Sequence, residues 1–471
     1  ELSYAYAGGV PGMHLLTLPT AMPVAVAESL AARVAADPQV AYAEPDYILS
    51  AALTPTDPRY ASQMWHLQPV NAAGEASPAN NYGANLPAAW DVTTGSAGIT
   101  VAIIDTGGLL THEDLSGRTP SGNAGYDMIT DVFTSNDGGG RDSNPADPGD
   151  WVTAAEATPT CGASDSSWHG SHVAGTIGAS ANNGKGITGI NWASKLLHLR
   201  ALGKCGGFNS DIADAIRWAA GLSVSGLPTN PNPVRVINMS LGGVGPCAAT
   251  LQNAITAATN AGVVVVVAAG NENQSLATNP KQPATCTGVI TVGAANQDGN
   301  RASYSNFGTR IDIAAPGGGS PIDTRVMSVK NTGTQGPVAD SYGVKQGTSM
   351  ATPHVAGVVS LMLSVNPALT SAQVLSILQS TVTLFPSYSD CTVATCGEGI
   401  LNAGKAVEEA ARRVRTFSLD GAAQIVNEAV GTVTIPVSLN IPSSQSISLP
   451  YTVSGTATSG ADHSLSAGTL T

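Results

Sequence analysis

The sequence predicts an α/β fold built on a doubly wound, mainly parallel sheet, and three observations carry that reading. Residues 101–104 (VAII), 234–239 (VRVINM) and 263–267 (VVVVV) are β-branched, largely apolar runs, the kind that lies buried on both faces of a parallel sheet. Each run ends in a polar or glycine-rich turn: Asp105-Thr106-Gly107, Ser240-Leu241-Gly242-Gly243 and Ala268-Ala269-Gly270-Asn271. Open α/β sheets build their sites at such carboxyl ends. The intervening segments read as helices, and regular alternation of strand and helix is what a parallel sheet requires.

The elements follow in chain order. Residues 1–52 stand apart from the main body. An alanine-rich amphipathic helix at 25–36 precedes Asp37-Pro38 and a strand at 39–43, another strand covers 13–18, and a first strand before it is missing or poorly represented. Residues 53–415 have the length of one α/β domain. Within them, 169–179 (HGSHVAGTIGA) reads as a buried helix opened by His169. The segment 347–357 (GTSMATPHVAG) turns tightly at Gly347 into an apolar helix that tolerates Pro353 in its first turn. Helical pattern stops after Arg415. Residues 431–439 and 446–453 then alternate in β fashion between Gly and Pro turns, so 416–471 reads as an incomplete all-β module.

Ser349 is the candidate nucleophile, placed where a tight turn meets the positive end of a buried helix. A serine hydroxyl needs an imidazole to take its proton and a carboxylate to orient that imidazole. His169 and Asp105 are the candidates. Any one of these turns alone would be a turn and nothing more; together they point to chemistry. His169 and His172 at i, i+3 could instead hold a metal, but no Glu follows in a zincin pattern.

Composition narrows the class. With 20 Lys+Arg against 33 Asp+Glu the net charge is −13, and no basic stripe exists to neutralise phosphates, which excludes nucleic acid as the expected partner. No run of about 18 apolar residues suggests a membrane span. The chain opens at Glu1 without a signal peptide, so that segment is expected to have been removed or to lie outside this sequence. Six cysteines, an even number, fit a disulfide-permissive, secreted setting.

The segments DTG (105–107), HGSHVAG (169–175), AAGN (268–271) and GTSMATPHVAG (347–357), in the order Asp, His, Asn, Ser, resemble those of the subtilisin-like serine proteases, the subtilases. That resemblance implies an endopeptidase acting through an acyl-enzyme on Ser349, with His169 as base, Asp105 as orienter and Asn271 as side-chain donor to the oxyanion. It makes His172 and His354 packing residues. It implies that Ser240, Leu241, Gly242 and Gly243, with Ala268, Ala269 and Gly270, wall the specificity pocket. Gly206 and Gly207 become the facing edge strand, and protein or peptide substrate lies between the two edges as an added strand.

The resemblance extends outward. Residues 40–48 (VAYAEPDYI) resemble the end of an inhibitory subtilase propeptide, an intramolecular inhibitor whose removal would occur between residues 49 and 54. Residues 416–471 resemble part of a Calx-β module, in which Glu428 and Asp462 become candidate calcium ligands. Structural calcium is implied in the main domain too, held by Asp57, Asp114 and Asn183, with carbonyl oxygens of Lys185 and Ile187. The acids and amide at 131, 136, 137, 142, 147 and 150 are either a further ion site or solvated loop residues. The protein is expected to be a secreted, extracellular, autoprocessed monomer. Cys391 and Cys396 enclose a short loop, while Cys161 and Cys205 lie near His169 and the Gly206 edge. The pairing read from this is Cys161–Cys205, Cys247–Cys286 and Cys391–Cys396, with free thiols left open for one or two. A binding or adhesive surface protein, inactive under an uncleaved propeptide, is the alternative class; intact triad residues argue against it.

Overall fold

Side-chain alternation along each strand decides the layering. The structure is a computed structural model, described for residues 3–7, 12–17, 24–45, 53–71, 80–414, 417–419, 437–439, 449–451 and 468–470. It divides into two units, one of Ser50–Ala411 and one of Glu1–Leu49 with Arg412–Thr471.

The larger unit is organised by a seven-stranded sheet: β1 Thr100–Asp105, β2 Gly125–Asp127, β3 Lys195–Arg200, β4 Val236–Met239, β5 Val264–Ala268, β6 Val289–Ala295 and β7 Ile313–Pro316. Its order is β7-β6-β5-β4-β1-β3-β2, and every pairing is parallel. Successive residues of a strand face opposite sides. Val101 and Ile103, with Val236, Val264 and Val266, enter one hydrophobic core. Ala102 and Ile104, with Ile237, Val265 and Val267, enter another. Helices α1 (His169–Gly178) and α4 (Thr348–Val365) cover the first face. Helices α2 (Asn209–Ala219) and α3 (Ala249–Asn260) cover the second. This is the doubly wound arrangement expected from the valine-rich runs. The order reverses at β1, so Asp105 ends a strand at a topological switch point.

Helix α4 is long and apolar enough, by length and composition alone, to cross a membrane, although no such run stood out in the sequence. Most of it is buried in the core, which accounts for its composition. The three disulfides are Cys161–Cys205, Cys247–Cys286 and Cys391–Cys396, as expected, and no cysteine is free.

In the smaller unit, strands Ser3–Ala7 and His14–Thr17 pair antiparallel and precede the helix Val24–Ala35. A strand thus precedes the one at 14–17, where a first strand was expected to be missing or poorly represented; the alternation in SYAYA is its signal. Residues 39–43 form turn and irregular chain rather than the expected strand. Phe417–Leu419 pairs with Val437–Leu439, and Leu449–Tyr451 with Gly468–Leu470, both antiparallel. Glu428, Asp462 and residues 46–52 lie outside the described residues.

Candidate active site

The carboxyl end of β1 delivers Asp105 into a buried position, and the first residue of α1 delivers His169 beside it. His169 Nδ1 lies 2.8 and 3.0 Å from the two Asp105 oxygens. A carboxylate only accepts, so Nδ1 carries a proton, and in the neutral imidazole Nε2 is the atom that presents a lone pair. Close approach of helix and strand requires a glycine next: a Cβ on Gly170 would lie 2.4 Å from the Gly107 carbonyl oxygen and 3.1 Å from Asp105 Cβ.

Ser349 is the second residue of α4. Pro353 sits inside that helix, past the first turn where the sequence suggested it, and supplies no N–H for the Ser349 carbonyl four residues back. The Ser240 hydroxyl takes its place, donating to that carbonyl oxygen at 2.8 Å. Ser349 Oγ in turn donates to the Ser240 carbonyl at 3.0 Å, not to the imidazole. The proline thus ties the candidate nucleophile to the turn after β4. Asn271, exposed at the turn after β5, accepts through Oδ1 from the Thr348 N–H at 2.8 Å and its hydroxyl at 3.0 Å. With Oδ1 so engaged, the amide nitrogen is the side-chain donor that remains. Thr348 also accepts from the Gly270 N–H at 3.1 Å. That holding role has no sequence signal beyond Thr348 standing beside Ser349.

The remaining substrate-binding candidates are distributed around these groups. Ser240 and Leu241 are buried; Gly242 and Gly243 are exposed, and Gly243 pairs with Gln282 across a short antiparallel ladder. Ala268 and Ala269 are buried at the end of β5, and Gly270 turns out with φ of 98°. Gly206 and Gly207 are exposed beside the Cys161–Cys205 bridge. They form no strand: Gly206 makes a single bridge back to Gly203, so the expected edge strand is a tight turn in this structure.

The candidate calcium residues form one network. Asp57 accepts from the N–H groups of Asn182 and Asn183 at 2.9 and 3.3 Å. Asp114 accepts from Asn183 Nδ2 at 2.7 Å and from the Ile187 N–H at 3.0 Å. The Lys185 N–H donates to Asn183 Oδ1 at 2.8 Å. Both carboxylates are buried. Burial first, and the Asp114 charge in addition, raise the Asp57 pKa against the N–H groups that lower it. Lys185 pairs instead with Glu113 at 3.3 Å. Two buried carboxylates with no basic partner among the described residues fit a hard cation. Among the described residues no three His, Cys, Asp or Glu converge, so such an ion would depend on amide and carbonyl oxygens.

The loop acids are occupied within the protein. Asp131 caps a short helix through the Thr134 N–H, Asn136 donates to Gly149, Asp142 accepts from the Asn144 N–H, and Asp137 pairs with Arg200. Asp147 and Asp150 are bonded to Thr106 and Ser167. His172 and His354 are buried as expected, and His354 Nε2 meets Nδ1 of His66 at 2.7 Å, a partner 288 residues away that no local pattern announces.

A seven-stranded parallel sheet with Asp105, His169 and Ser349 at strand and helix ends, in that chain order, defines the subtilisin fold. The profile of the Subtilase family matches residues 96–432. An extracellular protease of Xanthomonas campestris pv. campestris is 48% identical over 400 residues, covering 85% of this chain and 64% of that protein. An extracellular basic protease of Dichelobacter nodosus is 40% identical over 382 residues, covering 79% and 59%. Among solved structures, a protease of Pseudoalteromonas arctica superposes with a TM-score of 0.68 at 48% identity, over 76% of this chain and 100% of that one. The chain belongs to the subtilase family. It spans less than two thirds of the length of the two relatives named, 64% and 59%.

Proposed function

We propose that the protein is a secreted serine endopeptidase that hydrolyses peptide bonds in proteins through an acyl-enzyme on Ser349. The Asp105–His169 contact carries the reading, because it fixes the imidazole tautomer that a general base needs. Ser349 Oγ attacks the scissile carbonyl, and His169 Nε2 takes the hydroxyl proton and later returns it to the leaving amine. Asp105 accepts from Nδ1–H throughout and stabilises the transient imidazolium. The oxyanion receives the Asn271 amide and the Ser349 N–H, a first-turn donor with no intrahelical partner. Substrate backbone is proposed to lie as a strand between Gly242–Gly243 and Gly206–Gly207, all exposed and without side chains in the way.

The extracellular setting is supported by the two named relatives and by the three disulfides. Residues 1–52 are proposed to act as an intramolecular, autoprocessed inhibitor, and Asp57, Asp114 and Asn183 to hold structural calcium. In that role the ion would supply countercharge to two buried carboxylates and lend stability, not chemistry. Casein hydrolysis that a serine-directed covalent inhibitor abolishes is the test; hydrolysis that survives the inhibitor contradicts the proposal.

A further inference from the structure

Helix α1 begins without the usual capping side chain. Trp168 stands at the cap position in left-handed conformation, with φ of 52°, and its indole is buried and bonded to the Gly333 carbonyl. The first N–H groups of the helix belong to His169 and Gly170, and they need acceptors from elsewhere. Two hydroxyls supply them. The His169 N–H donates to Ser167 Oγ at 3.2 Å, and the Gly170 N–H to Thr106 Oγ1 at 3.0 Å.

Each hydroxyl in turn donates a hydrogen bond to a carboxylate of one four-residue stretch, Asp147-Pro148-Gly149-Asp150. Thr106 Oγ1 donates to Asp147 Oδ2 at 2.7 Å; Ser167 donates to Asp150 through both Oγ and N–H, each at 2.6 Å. A hydroxyl that donates to a carboxylate becomes a better acceptor, so the two bonds of each relay reinforce one another. The stretch is itself anchored. The Asp147 N–H donates to the Gly108 carbonyl at 3.1 Å, the Gly149 N–H to Asp147 Oδ1 at 2.9 Å, and Asn136 Nδ2 to the Gly149 carbonyl at 2.8 Å. Thr106 adds one further bond, from its N–H to Asp105 Oδ1 at 2.8 Å. Thr106 therefore touches both the carboxylate that orients His169 and the helix that carries it.

We propose that Asp147 and Asp150 are positioning residues for catalysis, acting through Thr106 and Ser167 to hold the start of α1, and with it the His169 imidazole, against Asp105. The inference rests on the serine-protease reading. Loss of a relay should loosen the Asp105–His169 geometry without touching substrate.

The test compares Asp147→Ala, Thr106→Val, their double variant and Thr106→Ser on a chromogenic peptide, with burst titration to count folded sites. The first two should each lose roughly ten- to a hundredfold in kcat, with KM within about twofold, because a misplaced catalytic group costs rate rather than uniform binding. The double variant should be no slower than the slower single one, since both break one relay. Thr106→Ser keeps the hydroxyl and should restore kcat. The downfield proton signal of His169 Nδ1–H should shift in Asp147→Ala, which a purely structural loss would not produce among correctly folded sites. Should Asp147→Ala fail to fold, the Thr106→Val and Thr106→Ser pair decides. Additive losses, a silent Thr106→Val, or an unmoved Nδ1–H signal overturn the proposal. Ser349→Ala, run beside them, separates the two levels. If it is inactive while Asp147→Ala is fully active, the relay alone fails; if it retains activity, the serine mechanism fails.

Discussion

Replacing Gly170 by alanine should damage the Asp105–His169 pair more than it damages the fold. The new methyl would lie 2.4 Å from the Gly107 carbonyl oxygen and 3.2 Å from Asp105 Oδ1. Against an ordinary contact of 3.4 Å the first distance falls about 1 Å short, and the obstacle is backbone. The start of α1 must recede by about that amount, which carries Nδ1 of His169 from 2.8 Å out of hydrogen-bond range of Asp105. A displacement of about 1 Å in a catalytic group costs on the order of a hundredfold in rate. Overpacking costs roughly 1–3 kcal/mol, and the better helix propensity of alanine returns about 1 kcal/mol of it. The variant should therefore fold with a modestly lowered Tm and a kcat reduced about a hundredfold. Gly178→Ala is the control, since its methyl would meet the ends of the Leu196 and Arg118 side chains at 3.1 and 3.3 Å and the Asn191 carbonyl oxygen at an ordinary 3.5 Å. Steady-state kinetics with burst titration measures both. A Gly170→Ala enzyme with wild-type kcat, or equal losses in the two variants, would refute the geometric argument.

The disulfides should rank by the loops they close. Removing Cys247–Cys286, which spans 39 residues, should cost roughly 4 kcal/mol by chain entropy, and removing Cys391–Cys396, which spans 5, about half that; urea unfolding of paired Cys→Ala variants checks the order, and the reverse order contradicts it. Calcium at a hundred times its dissociation constant should add about 2.7 kcal/mol of stability. Asp114→Asn should abolish that gain, while identical Tm values in EDTA and calcium would remove the ion site. Acid should act through His198, whose pKa burial lowers to about 4, with the Asp105 charge opposing. The unfolded chain then binds a proton between about pH 6.5 and 4 that the native state does not, so this group's contribution is lost as pH falls through that window, by about 1.4 kcal/mol per unit. Subtracting the profile of His198→Gln, both in a Ser349→Ala background, isolates it. Asp127 and Asp147, each raised to about 7 by burial, act oppositely and are common to both profiles. A difference that stays flat from pH 6.5 to 4 would contradict the assignment.

Apart from the disulfide pairing, what could be read from the sequence was mostly local. Residues 101–104 and 263–267 are legible because burial on both faces demands unbroken β-branched runs, and the structure places them in β1 and β5. Asp105, His169, Asn271 and Ser349 are legible because each stands at a strand or helix end in a distinctive turn. Thr348 and Thr106 hold those residues with hydroxyls that look like ordinary turn residues. Asp147 and Asp150 read as either ion ligands or solvated loop acids, since an Asp-Pro-Gly-Asp stretch signals a turn but not its partners. Their partners Thr106 and Ser167 lie 41 and 17 residues away. The relation between Pro353 and Ser240 needs the fold as well, because a missing helix bond says nothing about which hydroxyl will replace it.

The central claim is that Ser349 is a nucleophile activated by His169, and covalent mapping tests it most directly. Treatment with a fluorophosphonate, followed by proteolysis and mass spectrometry, should recover the adduct on Ser349. Labelling should be lost in Ser349→Ala and strongly slowed in His169→Ala. An adduct on another residue, or labelling of Ser349 at the wild-type rate without His169, would contradict the account.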